Sequence, residues 1–155
     1  MRGVGFSFRL AALALSVALV YVPGASAVPR EEANVEQLKA RLSSAAVNDK
    51  PHICVEIAQL RLEETDKSYA AAENEKAQPA LTDVVAFSEL ARDYAIQSRK
   101  YQKQTEIAVR RMTHRLTDLM HALPREEQAP LQDAITRLQR VRDDLLTAMF
   151  PKGAK

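Results

Sequence analysis

Two histidines and an aspartate in the second half of the chain have a spacing that suits metal binding. His114, Asp118 and His121 follow one another at intervals of four and three residues, so on a helix they lie along one face. Two imidazoles and a carboxylate are ligands that zinc and copper accept in proteins. The neighbouring Arg110, Arg111 and Arg115 disfavour a cation, and a single helix supplies no fourth ligand. A metal site at this face is therefore the alternative hypothesis for function.

Asp118 and His121 also have the acid-x-x-His spacing found in carboxylate-bridged di-iron bundles. Such a centre needs carboxylates that point inward from the other helices. Glu56 and Glu63 instead share the polar strip of a predicted helix, facing away from a bundle interior. The sequence therefore does not meet the requirement for a di-iron centre.

The remaining reactive side chains form no catalytic arrangement. A nucleophilic Cys54 needs a base beside it, and His52 lies two residues away, on roughly the opposite side of a helix. His52 and Glu56 are spaced as a surface pair. Cys-x-x-Cys-His is absent, which excludes covalent haem, and Met112 has the spacing of a core residue. Because Gly153 is the only glycine after residue 27, no glycine-rich phosphate loop exists, and we predict neither catalysis nor a cofactor.

A basic stretch at residues 97–115, QSRKYQKQTEIAVRRMTHR, contains six lysines or arginines and one glutamate. Glu106 precedes Arg110 by four residues, a spacing that allows an ion pair worth about 0.2–0.5 kcal/mol. A solvated helix face is the simpler interpretation. The functional one is a docking site for an acidic protein, a cell-wall polymer or an anionic lipid surface. The residues that would contact such a partner are Arg99, Lys100, Lys103, Arg110 and Arg111.

The first 27 residues have the pattern of a secretory signal peptide. Arg2 and Arg9 precede an apolar run at residues 10–22, and the sequence ASA at residues 25–27 provides the small residues that signal peptidase requires. As a helix the run spans about 20 Å, short of the roughly 30 Å of a bilayer core. We therefore predict cleavage after Ala27 and an exported protein, periplasmic or extracellular, without a membrane span after signal removal.

Charge and cysteine content narrow the class of function. Arg2 and Arg9 account for the whole net charge of +2, so residues 28–155 are formally neutral. Nucleic-acid-binding proteins usually carry a basic surplus, and the basic stretch offers no aromatic side chains for stacking on its charged face. Nucleic acid is therefore not expected as a partner. Cys54 is the only cysteine, which excludes an intramolecular disulfide, and its neighbours in ICVEIAQL favour burial over intermolecular pairing.

Apolar spacing predicts helices throughout residues 28–155, a length that suits one domain with a single core. We expect a first helix over about 31–46, a second over about 51–72 and a last one over about 130–149. The second helix has apolar residues along two edges, so it should contact at least two neighbours and lie at the centre.

The third predicted helix is the longest. No glycine or proline occurs between Pro79 and Pro124, and small or apolar residues recur there in steps of four and three, as in a coiled coil. A helix over residues 79–123 has about 45 residues and a length near 67 Å. Short loops would place the second helix along its first half and the last helix along its second half. The predicted fold is an all-α, elongated helical-hairpin bundle of four helices, the third about 45 residues long.

We call the residues that recur in steps of four and three the seam. Between residues 98 and 105 the seam becomes small and polar, so its covering differs from the rest of the helix. Three explanations are open. The first helix covers the stretch, the long helix bends within it, or a second copy of the chain packs against it. The last explanation would make the protein a homodimer.

Two segments resemble known families. Residues 57–91 resemble one tetratricopeptide hairpin through the turn at residues 73–76 and the small or apolar Ala77, Leu81 and Val84, whereas Glu64 and Thr65 depart from the repeat. This resemblance covers about a quarter of the chain and carries over no ligand residue. The sequence LTD at residues 116–118 and the segment 123–146 are similar to periplasmic all-helical stress chaperones and metal-resistance proteins, although the glutamine of their motif is missing.

The second resemblance implies an exported helical protein that binds partners through extended surfaces, whereas the first implies only a shared helical hairpin. Together with the absence of catalytic groupings, they favour a macromolecular interaction module, chaperone-like or scaffold-like. Its expected partner is a protein or an acidic envelope component. The alternative is a periplasmic metal-binding protein that uses the His114, Asp118 and His121 face.

Overall fold

The computed structural model describes residues 30–151, and every regular element in that range is helical. The elements are α1 Arg30–Ser44, α2 Lys50–Ala70, α3 Asn74–Ser98, α4 Gln102–Ala122 and α5 Ala129–Met149, with a 3-10 turn at Arg125–Glu127. The all-α prediction is confirmed. The predicted signal peptide at residues 1–27 lies outside the described residues. No helix within residues 30–151 combines the length and the apolar character needed to cross a bilayer.

The predicted third helix of about 45 residues is wrong. α3 ends at Ser98, α4 begins at Gln102, and the chain reverses between them. Arg99 and Tyr101 have left-handed backbone conformations, with φ of 55° and 61°, which end the helix without a glycine or proline. We call Arg99, Lys100 and Tyr101 the hinge. Residues 30–151 therefore form five α-helices instead of four. In the polar stretch, for which three explanations were open, the helix ends and the chain reverses.

α2 and α3 form one antiparallel hairpin, which we call the first hairpin. At one end of it, Gln78 donates a hydrogen bond of 3.0 Å to the hydroxyl of Tyr69. At the other end, Nζ of Lys50 lies 5.1 Å from the ring centroid of Tyr94. α4 and α5 form the second hairpin. The two hairpins stack so that α2 runs parallel to α4 and α3 runs parallel to α5.

Ion pairs fix the register of this stack. They join Asp66 of α2 to Arg115 of α4, Glu89 of α3 to Arg137 of α5, and Arg92 of α3 to Asp144 of α5. Exposed pairs of this kind contribute roughly 0–1 kcal/mol each to the free energy of unfolding. They therefore determine how the hairpins align but add little to stability. The main stabilisation comes from the apolar core.

One apolar cluster extends through all four stacked helices and includes Leu62, Val84, Leu116 and Leu138. α2 and α3 are in close contact, and buried small side chains of these helices let backbones approach closely; they are Ala58, Ala77, Ala80, Ser88, Ala91 and Ala95. α4 and α5 contribute larger residues to the apolar cluster, among them Met112 and Leu145.

α1 packs on α2 through a separate small core, formed by Val35, Leu38, Ile53 and Ile57. Its Lys39 reaches α3, with Nζ 3.9 Å from a carboxylate oxygen of Asp83 and 5.9 Å from the ring centroid of Phe87. α2 therefore contacts α1 along one edge and the second hairpin along the other. This confirms the prediction that the second helix is central and has two neighbours or more.

Candidate functional site

The hinge divides the predicted basic strip into two parts. Arg99 and Lys100 lie in the hinge, at one end of the bundle, whereas Lys103, Arg110 and Arg111 lie on α4. All five side chains are exposed. They do not follow one line along a single helix, because the helix that was predicted to hold them ends at Ser98.

We call the exposed side of α4 that carries Lys103, Arg110, Arg111 and His114 the basic face. Within residues 30–151, Lys103 and Arg111 have no ion-pair partner, and Arg110 approaches Glu106 only to 3.8 Å. The arginines at helix–helix contacts differ, since each of them is paired with a carboxylate: Arg61, Arg92, Arg115, Arg137 and Arg142. The charge on the basic face is thus available to a partner.

Glu106, the only acidic residue of the basic stretch, points into the bundle. It is 7% exposed and accepts a hydrogen bond of 2.8 Å from Nε of Arg142 on α5. The predicted pairing with Arg110 is therefore the longer of two contacts. Helical spacing could not identify Arg142, because that residue belongs to another helix. As a result Glu106 does little to neutralise the basic face.

A groove between α2 and α4 borders the basic face. Its floor is formed by the buried Leu62 and Met112, and its polar walls by Gln59, Glu63, Asp66, Arg111 and Arg115. The groove has a volume of about 420 Å³ and opens to solvent along its length. Enclosed pockets suit small ligands; an open groove with an apolar floor suits a side chain of a larger partner. Sequence spacing did not predict this groove, since it depends on α2 lying beside α4.

His114, Asp118 and His121 are exposed on α4. Among the residues that the structure describes, no group of three or more His, Cys, Asp or Glu side chains is arranged to hold a metal ion. Arg115 lies beside them and donates a hydrogen bond of 2.6 Å to Asp66. The helix therefore carries these three residues on its surface without assembling them, and the geometry adds no support to the metal hypothesis.

Cys54 lies in the interior, as predicted, with no exposed surface. Burial raises the pKa of its thiol to about 12, and the charge of Lys50 only partly opposes this shift. The thiolate is the reactive form of cysteine, so the thiol is inert at neutral pH. His52 is exposed and points toward the hinge, where its ring centroid lies 6.5 Å from that of Tyr101. The two residues do not form a nucleophile and base pair.

A second groove, which the sequence did not predict, lies where α1 ends, α2 begins and the chain passes through the hinge. Its volume is about 360 Å³, and its lining includes Arg41, Asp49, His52 and Tyr101. Both grooves are lined by cations and carboxylates, so the charge of the lining does not rank them. The α2–α4 groove is the stronger candidate because it borders the basic face, whose Lys103 and Arg111 have no ion-pair partner within residues 30–151.

Comparison with protein families, curated proteins and solved structures finds no match for this chain. The tetratricopeptide and chaperone resemblances thus remain local sequence patterns.

Proposed function

We propose that this protein is an exported interaction module that binds an acidic segment of another protein along the basic face of α4. The observation that carries the proposal is the row of exposed cations Lys103, Arg110 and Arg111. Neither Lys103 nor Arg111 has an ion-pair partner within residues 30–151. An acidic partner would supply the carboxylates that the bundle itself does not.

The spacing of these cations determines the spacing of the carboxylates that a partner needs. Lys103 and Arg110 are separated by about 10 Å along the helix axis. An extended chain repeats every 3.2–3.4 Å per residue, so carboxylates about three residues apart match this separation. Charge attraction of this kind accelerates association and weakens as salt is added.

The adjoining groove favours a protein over other acidic partners. Leu62 and Met112 form an apolar floor that can accept an aliphatic side chain, a group that an acidic envelope polysaccharide lacks. Insertion into a lipid surface would use exposed apolar side chains on the same face. Within residues 30–151 the exposed large apolar residues lie elsewhere, at Val47, Leu90, Ile96, Tyr101 and Phe150. The partner that fits best is a protein segment with acidic residues and at least one aliphatic residue.

Two peptide probes and two charge-reversal variants test this proposal. The probes are a Glu-rich peptide that contains leucines and leucine-free poly-glutamate, with binding measured by fluorescence anisotropy at low and moderate salt. The site variant combines Lys103→Glu, Arg110→Glu and Arg111→Glu. The control variant makes the same change in net charge at exposed positions outside the basic face, by Lys76→Glu, Arg125→Glu and Arg140→Glu.

We expect the leucine-containing peptide to bind the native protein more tightly than poly-glutamate does. The site variant should bind it at least about tenfold more weakly, whereas the control should change affinity by no more than about threefold. Equal weakening by both variants would show a general charge effect and contradict a defined face. Equal affinity for the two probes would favour an acidic polymer as the partner instead of a protein.

A further inference from the structure

The hinge contains two residues in a backbone conformation that only glycine adopts freely. Arg99 has φ 55° and ψ 24°, and Tyr101 has φ 61° and ψ 12°. A side chain at such a position crowds the neighbouring carbonyl oxygen, so the conformation persists only where other contacts compensate for it. The hinge residues are all exposed, and the ring of Tyr101, which is 43% exposed, approaches that of His52 on α2 only to 6.5 Å between centroids. The compensation must therefore come from the packing of one hairpin on the other.

The sequence across the hinge suits a continuous helix. No glycine or proline occurs between Pro79 and Pro124, and the steps of four and three continue through Tyr94, Ser98, Tyr101 and Thr105. If the hinge straightens, Arg99 and Tyr101 return to the right-handed helical region, and the interrupted backbone hydrogen bonds form again. α3 and α4 then become one helix about 73 Å long.

Straightening the hinge also separates the two hairpins of a chain. It uncovers the apolar cluster that they share, in which Leu62, Leu116 and Leu138 are buried. A single open chain would leave this surface in water, which is strongly unfavourable. A second open chain offers the identical surfaces in the same register, so two chains can cover each other's clusters.

We propose that this chain forms a dimer by exchanging its second hairpin, with the hinge straightened in both copies. Each bundle of the dimer then consists of α1, α2 and α3 from one copy and of α4 and α5 from the other. The ion pair between Asp66 and Arg115 forms between copies instead of within one. Short connections under strain are known to promote this kind of exchange, because opening relieves the strain while the interface is kept.

The exchange is detected by linking the two hairpins covalently. A variant with Asp66→Cys and Arg115→Cys is refolded at high micromolar concentration, and its dimer fraction is isolated by size exclusion with light scattering. The dimer is then treated with a short bismaleimide cross-linker. In the exchanged dimer the new cysteines lie on different chains, so a denaturing gel shows a covalent dimer. Cys54 does not interfere in the native state, because it has no exposed surface.

Glycine substitutions at the hinge test whether backbone strain there drives the exchange of hairpins. Arg99→Gly with Tyr101→Gly relieves the strain of the closed form and disfavours the continuous helix, so dimer association should weaken by at least roughly a hundredfold. Ala72→Gly is the matched control, since Ala72 also has a positive φ, 56°, but lies in the turn within the first hairpin. It should change the association by no more than about threefold.

Three results would overturn the proposal. The protein could remain monomeric after refolding at high concentration. A dimer could form in which the cross-linker joins only cysteines of one chain, as it would in two closed bundles side by side. The hinge glycines could leave the dimer as stable as the Ala72→Gly control.

Discussion

Glu106 on α4 accepts a hydrogen bond of 2.8 Å from Nε of Arg142 on α5, and Nε of Arg110 lies 3.8 Å from the same carboxylate oxygen. The carboxylate is largely buried, whereas both arginines are partly open to solvent. This contact ties α4 to α5 within the second hairpin. It also withdraws the negative charge of the basic stretch from the outer face of α4, where we propose that an acidic partner binds.

Removing Arg142 should therefore destabilise the fold. Arg142→Ala leaves the carboxylate of Glu106 with the more distant Arg110 alone, and we expect a loss of about 1–3 kcal/mol in the free energy of unfolding. Arg140→Ala removes an exposed arginine from the same helix and should cost less than about 0.5 kcal/mol. Urea unfolding followed by circular dichroism measures both. Similar losses in the two variants would show that the Glu106 contact contributes little.

Charges placed in the core should prevent folding, while a charge reversal on the basic face should not. Leu138 and Ile57 are fully buried, one in the main cluster and one in the core beneath α1. Leu138→Asp and Ile57→Asp each bury an unpaired carboxylate, and we expect a loss of more than about 4 kcal/mol. Lys103→Glu should stay within about 0.5 kcal/mol of the native protein. Thermal unfolding distinguishes these cases, and a native-like melting temperature for Leu138→Asp would refute the assigned core.

Cys54 should make the fold sensitive to alkaline pH. Burial raises the pKa of its thiol from 9.0 to about 12 in the folded state. Below about pH 9 both states hold a neutral thiol, so stability is unaffected. Between pH 9 and about 12 the unfolded chain loses the proton while the folded chain keeps it, so stability falls by about 1.4 kcal/mol per pH unit.

The variant Cys54→Ala has no thiol to titrate, so its unfolding free energy serves as the comparison. The difference in unfolding free energy between native and variant protein should be constant at neutral pH and shrink as the pH rises above about 9. A thiol reagent should modify the native protein only after denaturant is added. Rapid modification under native conditions, or a difference independent of pH, would contradict the buried position of the thiol.

Metal ions should leave the stability of the protein unchanged. A ligand that binds only the folded state raises its melting temperature, and within residues 30–151 no group of three or more His, Cys, Asp or Glu side chains is arranged to hold a metal. We therefore expect no shift with zinc, copper or nickel. A shift that disappears in His114→Ala with His121→Ala would reverse this conclusion and support the metal-binding alternative.

Local sequence pattern predicted the helices themselves well. The first, second and last helices were placed within about two residues of their observed ends, because each contains the apolar periodicity that its packing requires. The two apolar edges of α2 correctly predicted a central helix. These features depend on residues that are close together in the sequence, so the sequence displays them directly.

The reversal at the hinge could not be predicted in the same way. Arg99 and Tyr101 have no special tendency toward left-handed backbone, and the spacing of the seam continues through them. The reversal depends on α4 packing beside α2 and α5, which no local pattern records. The only indication of the reversal in the sequence was that the seam becomes polar at Ser98 and Thr105. Thr105 is 1% exposed inside a single chain, so no second copy is needed to cover that part of the seam in the closed bundle.

The candidate site was predicted in part. Spacing correctly placed Lys103, Arg110 and Arg111 on the surface, because their positions relative to the seam are a property of one helix. The groove floored by Leu62 and Met112 needs two helices that are distant in sequence to lie side by side. Such features depend on tertiary structure, and only the fold reveals them.

The separate core beneath α1 implies that α1 can unfold independently of the rest of the bundle. α1 reaches the rest of the protein mainly through α2 and the contacts of Lys39, so it can detach while the stacked hairpins stay intact. A protease that meets the native protein would therefore find its earliest cutting points near the amino end, and a trimmed product that begins close to α2 would be the durable form of this molecule.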